Sequence, residues 1–494
     1  MNKEYMNIPD YVKNIGEKLG KAGFEGYIVG GCVRDLLMKK EPKDWDITTN
    51  ARPEQILKIF PDGKYENNFG TVILPIKDKD GQTEDVIEIT TYRSEQGYSD
   101  RRHPDEVAFE DNLDRDLERR DFTVNAMALE ISDFRFKISD FNKCKLVDLF
   151  GGRKDLEKKI IRAVGEPVDR FKEDALRLMR AIRFSCQLDF SIEPKTERAI
   201  KKMAGGIKFV SQERIRDELI KILQTDRAYE GIMALYNNKL LQYVLPELER
   251  GVGVDQNHHH IYTVFNHCVL SLKHCPSKDW QVKFAALLHD ISKPETKKFI
   301  GGDATFYNHD IVGAKVAKKI MNRLKFSNED NDRIANLIRN HMFYYNVGEV
   351  TEASVRRLIK KTGEKNLKDL IDLRIADRLG SGVPKAKPYK LRHLEYMMEK
   401  VRQDPVSVKM LKINGDDLMK TLKIAPGPKI GAILDVLLFE VIEDPKLNNK
   451  KHLEKRSGEL SRMELEELRK RAKEKIEERK MEDDEELKKD FWVK

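Results

Sequence analysis

The chain is 494 residues long, 40% hydrophobic and 36% charged, and its 92 Lys and Arg against 84 Asp and Glu give a formal net charge of +8. No run of 18 apolar residues occurs and the N-terminal MNKEYMNIPD has no apolar core, so neither a helical membrane span nor a secretory signal is expected. Five scattered cysteines without a C-x-x-C pair exclude a disulfide framework and a Cys-rich zinc site, and fit a reducing cytoplasm.

At ~100–200 residues per domain the length suits roughly three or four domains. Strand signals concentrate near the N-terminus: Tyr27-Ile28-Val29 before Gly30-Gly31, then Val72-Ile73-Leu74 and Val86 to Thr90. Helical periodicity lies between them at Val33–Lys39 and Pro53–Ile59, so an α/β unit with a mixed or antiparallel sheet is expected over 1–150. From about residue 155 the pattern turns helical, with Phe171, Ala175, Leu178, Ile182 and Cys186 on one stripe. This predicts a helical neck at 151–250 and a histidine-bearing helical region at 251–380. Gly380-Ser381-Gly382-Val383-Pro384 reads as a linker into a small unit at 381–450. The last segment, 451–494, holds 14 basic and 14 acidic residues among 44. Its narrow stripe of Leu465, Leu468, Ala472 and Ile476 favours a solvated helix laced by i,i+4 pairs over a docked one.

Three features in the first unit belong together. Gly30-Gly31 ends a strand and precedes a helix, where a bare backbone approaches phosphate closely. Arg34 stands just inside that helix, within reach of a triphosphate or of Asp35. In Lys43-Asp44-Trp45-Asp46, Asp44 and Asp46 would share one strand face while Trp45 packs behind. Two adjacent carboxylates repel, and two Mg²⁺ ions between them would activate a hydroxyl and hold a leaving pyrophosphate. Further on, Arg119-Arg120-Asp121-Phe122-Thr123-Val124-Asn125 supplies guanidinium forks for phosphate and an amide for ribose hydroxyls.

In order and spacing, G-G-C-V-R-D, D-W-D and R-R-D-F-T-V-N-A resemble the head of the class II tRNA nucleotidyltransferases. These are the CCA-adding enzymes and bacterial poly(A) polymerases of the polymerase-β-like superfamily. The resemblance implies an α+β fold: a nucleotidyltransferase head with a mixed sheet, an all-helical neck, an HD-type helical domain and a helical tail. It implies Asp44 and Asp46 as catalytic Mg²⁺ ligands, with Glu88 as a third acidic group. Gly30, Gly31, Arg34, Arg120, Asp121 and Asn125 would then bind the nucleotide. Thr91 through Pro104 resembles the family's loop for addition of the final A.

Glu173-Asp174-Ala175-Leu176-Arg177 is read as helical, with Arg180 beyond it. Asp174 and Arg177, three apart, would share a face. By themselves they make a surface ion pair. As the family's E-D-x-x-R motif, Glu173, Asp174, Arg177 and Arg180 become nucleotide-binding, with Asp174 and Arg177 reading the base. Cytosine and adenine both offer an amino donor beside a ring-nitrogen acceptor, which a carboxylate and a guanidinium match. Uracil and guanine would leave buried groups unpaired, at ~1–3 kcal/mol each. Ser211-Gln212-Glu213-Arg214 resembles a further motif with a structural role, and reads as a helix N-cap.

Eight of the 11 histidines fall between residues 258 and 341. His267, His289-Asp290, His309, His341 and Asp377 appear in an order that resembles the two-metal HD phosphohydrolases, with Lys293 following the H-D pair. The resemblance implies a divalent transition metal there (Mn, Fe, Ni or Co) and an additional phosphohydrolase activity. In the tail, Asn414-Gly415-Asp416-Asp417-Leu418 and Pro426-Gly427-Pro428-Lys429-Ile430-Gly431 resemble family motifs.

The expected function is therefore template-independent addition of CCA to the tRNA 3′ end from CTP and ATP. The acceptor arm is the expected partner, with no membrane and no obligate protein partner. Two alternatives remain: an A-adding enzyme or poly(A) polymerase of the same family, and an HD phosphohydrolase with an RNA-binding head.

Overall fold

The computed structural model describes residues 8–66, 70–78, 80–96, 106–131, 145–256, 261–300, 303–343, 345–403, 411–443, 445–470 and 491–492. The loop expectation at 97–104 and the distal half of the C-terminal segment lie outside these residues. The chain forms two compact units, Met1–Arg339 with Asp372–Val383, and Asn340–Ile371 with Pro384–Lys494.

The first unit opens with the amphipathic helix Asp10–Lys21, which buries Val12, Ile15 and Leu19. Among the described residues nine strands follow in the head: β1 (Tyr27–Val29), β2 (Asp46–Thr49), β3 (Lys64–Tyr65), β4 (Thr71–Lys77), β5 (Thr83–Thr91), β6 (Arg93–Gln96), β7 (Glu106–Phe109), β8 (Ala128–Glu130) and β9 (Leu146–Val147). Seven of them form one sheet in the order β3-β4-β5-β2-β1-β8-β9. Only β2 and β5 pair in parallel there; the other neighbours are antiparallel, so the sheet is mixed. Along β5, Ile87, Ile89 and Thr91 are buried while Glu88 is exposed, the alternation of a strand with one face on a core. That core joins the first helix to Ile28, Val33, Trp45, Ile47, Ile56, Val72 and Met127.

Helices dominate the rest of this unit. Pro167–Glu173, Arg177–Leu188, Pro194–Met203, Gln212–Leu223 and Ala228–Asn237 follow the head. Val264–Lys273, Trp280–Leu288 and His309–Arg323 come next. Trp280–Leu288 buries every residue from Val282 to Leu288.

The second unit is also helical. Asn414 caps Gly415–Leu422 reciprocally with Asp417, as its sequence suggests. Pro428–Glu443 supplies Ile433 and Leu437 to the core. The expectation of a solvated C-terminal segment is corrected over its described part. Helix Lys450–Leu460 buries Leu453, Ser457 and Leu460, and Leu468 joins the same core. Arg456 pairs with Glu440 at 2.7 Å. Few apolar side chains suffice for docking, because each fully buried leucine contributes about 1.5–3 kcal/mol, more than a set of exposed i,i+4 pairs.

Candidate active site

β1 delivers the chain to Gly30, whose φ of +83° lies in the region that favours glycine. A Cβ there would stand 2.9 Å from Arg120 Nη1, so the turn also needs glycine for close approach. Gly31 begins the short helix Gly31–Leu37. From it Arg34 donates to Asn125 Oδ1 at 2.7 Å and pairs with Asp35 at 2.8 Å. Two sequence segments that are ninety residues apart thus meet.

Asp46 is the first residue of β2, whereas Asp44 lies in the exposed bend before it. The two do not share a strand face as expected. The strand neighbour of Asp46 is instead Glu88, in register across the parallel β2–β5 pair. Burial raises the Asp46 carboxyl above its ordinary value, Arg120 opposes this, and Asp44 adds to it. Glu88, exposed as a residue but partly desolvated at its carboxyl, is raised by that desolvation, then by Asp46, Glu66 and Asp44. Carboxylates gathered at one strand end, two of them resisting ionisation, form the oxygen donor set that hard divalent cations take.

Arg120 also lines a cavity of about 250 Å³, together with four further arginines (Arg119, Arg177, Arg180, Arg214) and two aspartates (Asp121, Asp174). The aspartates set the arginines in place. Buried Asp116 takes Arg119 at 2.7 Å and Arg120 at 3.2 Å. Asp121 holds Arg180 at 2.6 Å. Burial by itself raises the Asp121 carboxyl, but Arg180 and Arg177 outweigh it and hold the group below the ordinary carboxylate value. The surplus of guanidinium makes the cavity an attractive seat for a polyphosphate.

The expected continuous helix through Glu173–Arg177 does not exist. Pro167–Glu173 ends, Asp174 is extended (φ −138°, ψ 107°), and a new helix starts at Arg177. The side chain of Asp174 accepts from its own turn, Leu176 N–H at 3.0 Å, a local bond that competes with helix continuation. Asp174 and Arg177 therefore reach the cavity from either side of a break, not from one helical face. Asp174 is gripped by the Arg214 fork at 2.7 and 3.2 Å. Arg177 pairs with Glu173 and donates to the carbonyls of Arg170 at 3.1 Å and Arg119 at 3.0 Å. Arg214 was read only as part of a helix start; its place in a charged first turn was the available signal. Ser211 does occupy the N-cap, but without a side-chain cap bond.

A second cluster sits where Val264–Lys273 and Trp280–Leu288 meet. His267 Nε2 lies 3.0 Å from His289 Nε2, 3.0 Å from Asp290 Oδ2 and 3.3 Å from Asp377 Oδ1. His309 Nε2 is 3.3 Å from Asp290 Oδ1. The Nδ1–H groups of His289 and His309 donate to backbone carbonyls at 2.8 and 2.7 Å, which leaves both Nε2 atoms aimed at the cluster. Arg374 holds the other oxygen of Asp377 at 2.7 Å, and Lys293 stands 2.6 Å from Asp290. Burial disfavours a charged His289, yet Asp290 and Asp377 push it up to about 10. A buried imidazole and carboxylate set of this kind suits a divalent transition metal. His341, buried, directly follows helix Asn328–Asn340 and belongs to the second unit.

Comparisons with known proteins place most of the chain among relatives. A family profile described as "Poly A polymerase head domain" matches residues 26–162. A second, named for an RNA- and SrmB-binding site of polymerase A, matches 189–251. A third, for tRNA nucleotidyltransferase domain 2, matches 305–456. The chain is 36% identical to the A-adding tRNA nucleotidyltransferase of Deinococcus radiodurans, over 83% of this chain and 90% of that one. It is 30% identical to the CCA-adding enzyme of Enterococcus faecalis, over 88% and 92% of the two chains. The crystal structure of the Bacillus stearothermophilus CCA-adding enzyme in complex with CTP superposes with a TM-score of 0.58 at 25% identity, covering 92% of this chain and 98% of that one.

Proposed function

The chain belongs to the class II tRNA nucleotidyltransferase family, and from that membership we propose that it builds the 3′-terminal CCA of tRNA from CTP and ATP without a nucleic-acid template. One observation carries the reading: Asp46 stands in register with Glu88, and Arg120, which acts electrostatically on Asp46, also lines the five-arginine cavity. Asp44 and Asp46, with Glu88 beside them, would hold Mg²⁺, which when bound supplies charge neutralisation at the reacting phosphate and the leaving pyrophosphate. The Gly30-Gly31 turn lets the triphosphate approach the backbone. Arg34, fixed by Asn125, and Arg120, fixed by Asp116, receive phosphate oxygens. Arg180 steadies Asp121 near the sugar. The tRNA 3′ hydroxyl attacks the α-phosphate in line and pyrophosphate leaves.

Base choice falls to Asp174 and Arg177. The carboxylate accepts the exocyclic amino group of cytosine or adenine, and the guanidinium donates to the adjacent ring nitrogen. Phosphate contacts with the tRNA acceptor arm make binding salt-sensitive. No helix among the described residues is long and apolar enough to cross a membrane, and the reaction suits the cytoplasm.

The similarity to an A-adding relative favours one second reading, addition of the final A alone. Supplying tRNAs that end before C, C or A with one labelled nucleotide at a time separates the two. Full CCA addition predicts C on the first two ends, A on the third and no further extension. Incorporation of A on the third end only, or unlimited A, would overturn the proposal.

The second cluster is proposed to be an HD-type phosphohydrolase centre, with a divalent transition metal on His267, His289, Asp290, His309 and Asp377 and with His341 as the sixth residue of the ordered set. His289→Ala is expected to lower bound metal severalfold by elemental analysis and abolish hydrolysis of p-nitrophenyl phosphate. CCA addition should stay within about twofold, since distant sites act additively. Unchanged metal content would remove the assignment.

A further inference from the structure

A second cavity, of about 310 Å³, lies apart from both sites. Its lining runs from Asp226, Tyr229 and Glu230, near the start of helix Ala228–Asn237, to the loop between Val264–Lys273 and Trp280–Leu288. Small-ligand pockets span about 300–1,000 Å³, so a small molecule fits. One wall is Lys283, only 7% exposed. Its ammonium donates to the Thr225 carbonyl at 2.8 Å. An ammonium has three donors, and none of the described carboxylates forms a direct ion pair with this one. Burial holds it below the ordinary lysine value, Asp226 and Cys275 work against that, and Lys278 works with it. Lys273 and Lys278 are exposed at the rim, Lys273 lying 5.0 Å over the Tyr229 ring.

We propose that this cavity binds a small oxyanion-bearing molecule, a phosphate or a carboxylate, with its anionic group seated on Lys283. A buried cation hydrogen-bonded to a carbonyl and to no carboxylate among the described residues is costly, and an oxyanion would give its remaining donors charge-assisted hydrogen bonds. Lys273 and Lys278 draw the anion in. Asp226 and Glu230 repel a highly charged polyphosphate, which separates this site from the arginine-rich cavity. The ligand is thus a small anion of at most about two charges, not a nucleoside triphosphate or RNA.

Site-resolved acetylation of the full-length protein, read by mass spectrometry, tests the assignment. Inorganic phosphate and malonate are compared with chloride at matched ionic strength. Either anion is expected to slow Lys283 acetylation at least about threefold once it exceeds twice its Kd, and to leave the exposed Lys202 unaffected. A response to phosphate alone assigns a phosphate ligand, and a response to malonate alone a carboxylate. In parallel, the same anions should raise the melting temperature of wild type and of Arg177→Ala, which removes an arginine from the other cavity, by clearly more than that of Lys283→Met. Equal Lys283 labelling in chloride, phosphate and malonate would overturn the proposal, as would a melting shift of Lys283→Met equal to wild type.

Discussion

Asp46→Asn should lower nucleotide incorporation about a thousandfold or more while the protein stays folded. Asp46 opens β2 and faces Glu88 in register, so the amide keeps the shape and removes one charge from the oxygen set. The effect should fall on the rate of transfer far more than on ATP binding, because the arginine-lined cavity is untouched. Primer extension on tRNA lacking A, with ATP binding measured in parallel, separates the two. Incorporation within tenfold of wild type would sink the assignment. The same residue makes a pH prediction. The Asp46 and Glu88 pKa values are raised in the folded chain, so their contribution to stability is fully present below their ordinary values near 3.8 and 4.5. It is lost as pH rises through the folded values. Without divalent metal, Asp46→Asn should therefore melt at or above the wild-type temperature at neutral pH, and the difference should vanish in acid.

The second large effect concerns base choice. Asp174→Ala is expected to erode the preference for CTP and ATP over UTP and GTP by about a hundredfold, the scale of one or two buried groups left unpaired at ~1–3 kcal/mol each. Arg177→Ala should act similarly. Arg214 adds a finer expectation, because its fork holds both Asp174 oxygens. Arg214→Lys should keep the charge and lose the bidentate grip, so discrimination falls less than with Asp174→Ala. Single-turnover incorporation of each of the four nucleotides gives the four ratios directly. A preference unchanged in Asp174→Ala would leave the pair as the ion-pair network it also is.

Several parts of this architecture were legible in order along the chain. The strand before Gly30-Gly31, the D-W-D triplet and the R-R-D-F-T-V-N stretch carry short-range signals: apolar runs, a turn that needs glycine, charged residues in fixed spacing. The apolar run ending at His289-Asp290 likewise announced a buried helix with polar groups that need partners. The helix through Glu173–Arg177 was misjudged because the residues have ordinary helix propensity, while the break at Asp174 is set by a turn bond to Leu176 and by Arg214, forty residues away. Over its described residues the C-terminal segment departs from expectation because a net charge of zero and a narrow stripe look solvated until Leu453, Leu460 and Leu468 find a partner surface.

By itself the sequence determined which chemistry-bearing residues exist, most of the strands and helices that hold them, and the family they resemble. The elements follow from periodicity and spacing, which act over a few residues, and the family is a resemblance carried by ordered motifs. Only the tertiary structure decided which groups meet: Glu88 beside Asp46 by strand register, Arg34 on Asn125, Arg214 on Asp174, Asp377 on His267, and Lys283 at a cavity wall. Such pairings form between segments far apart in the chain. They are selected by packing and by the cost of burying unpaired charge, and neither leaves a local pattern to read.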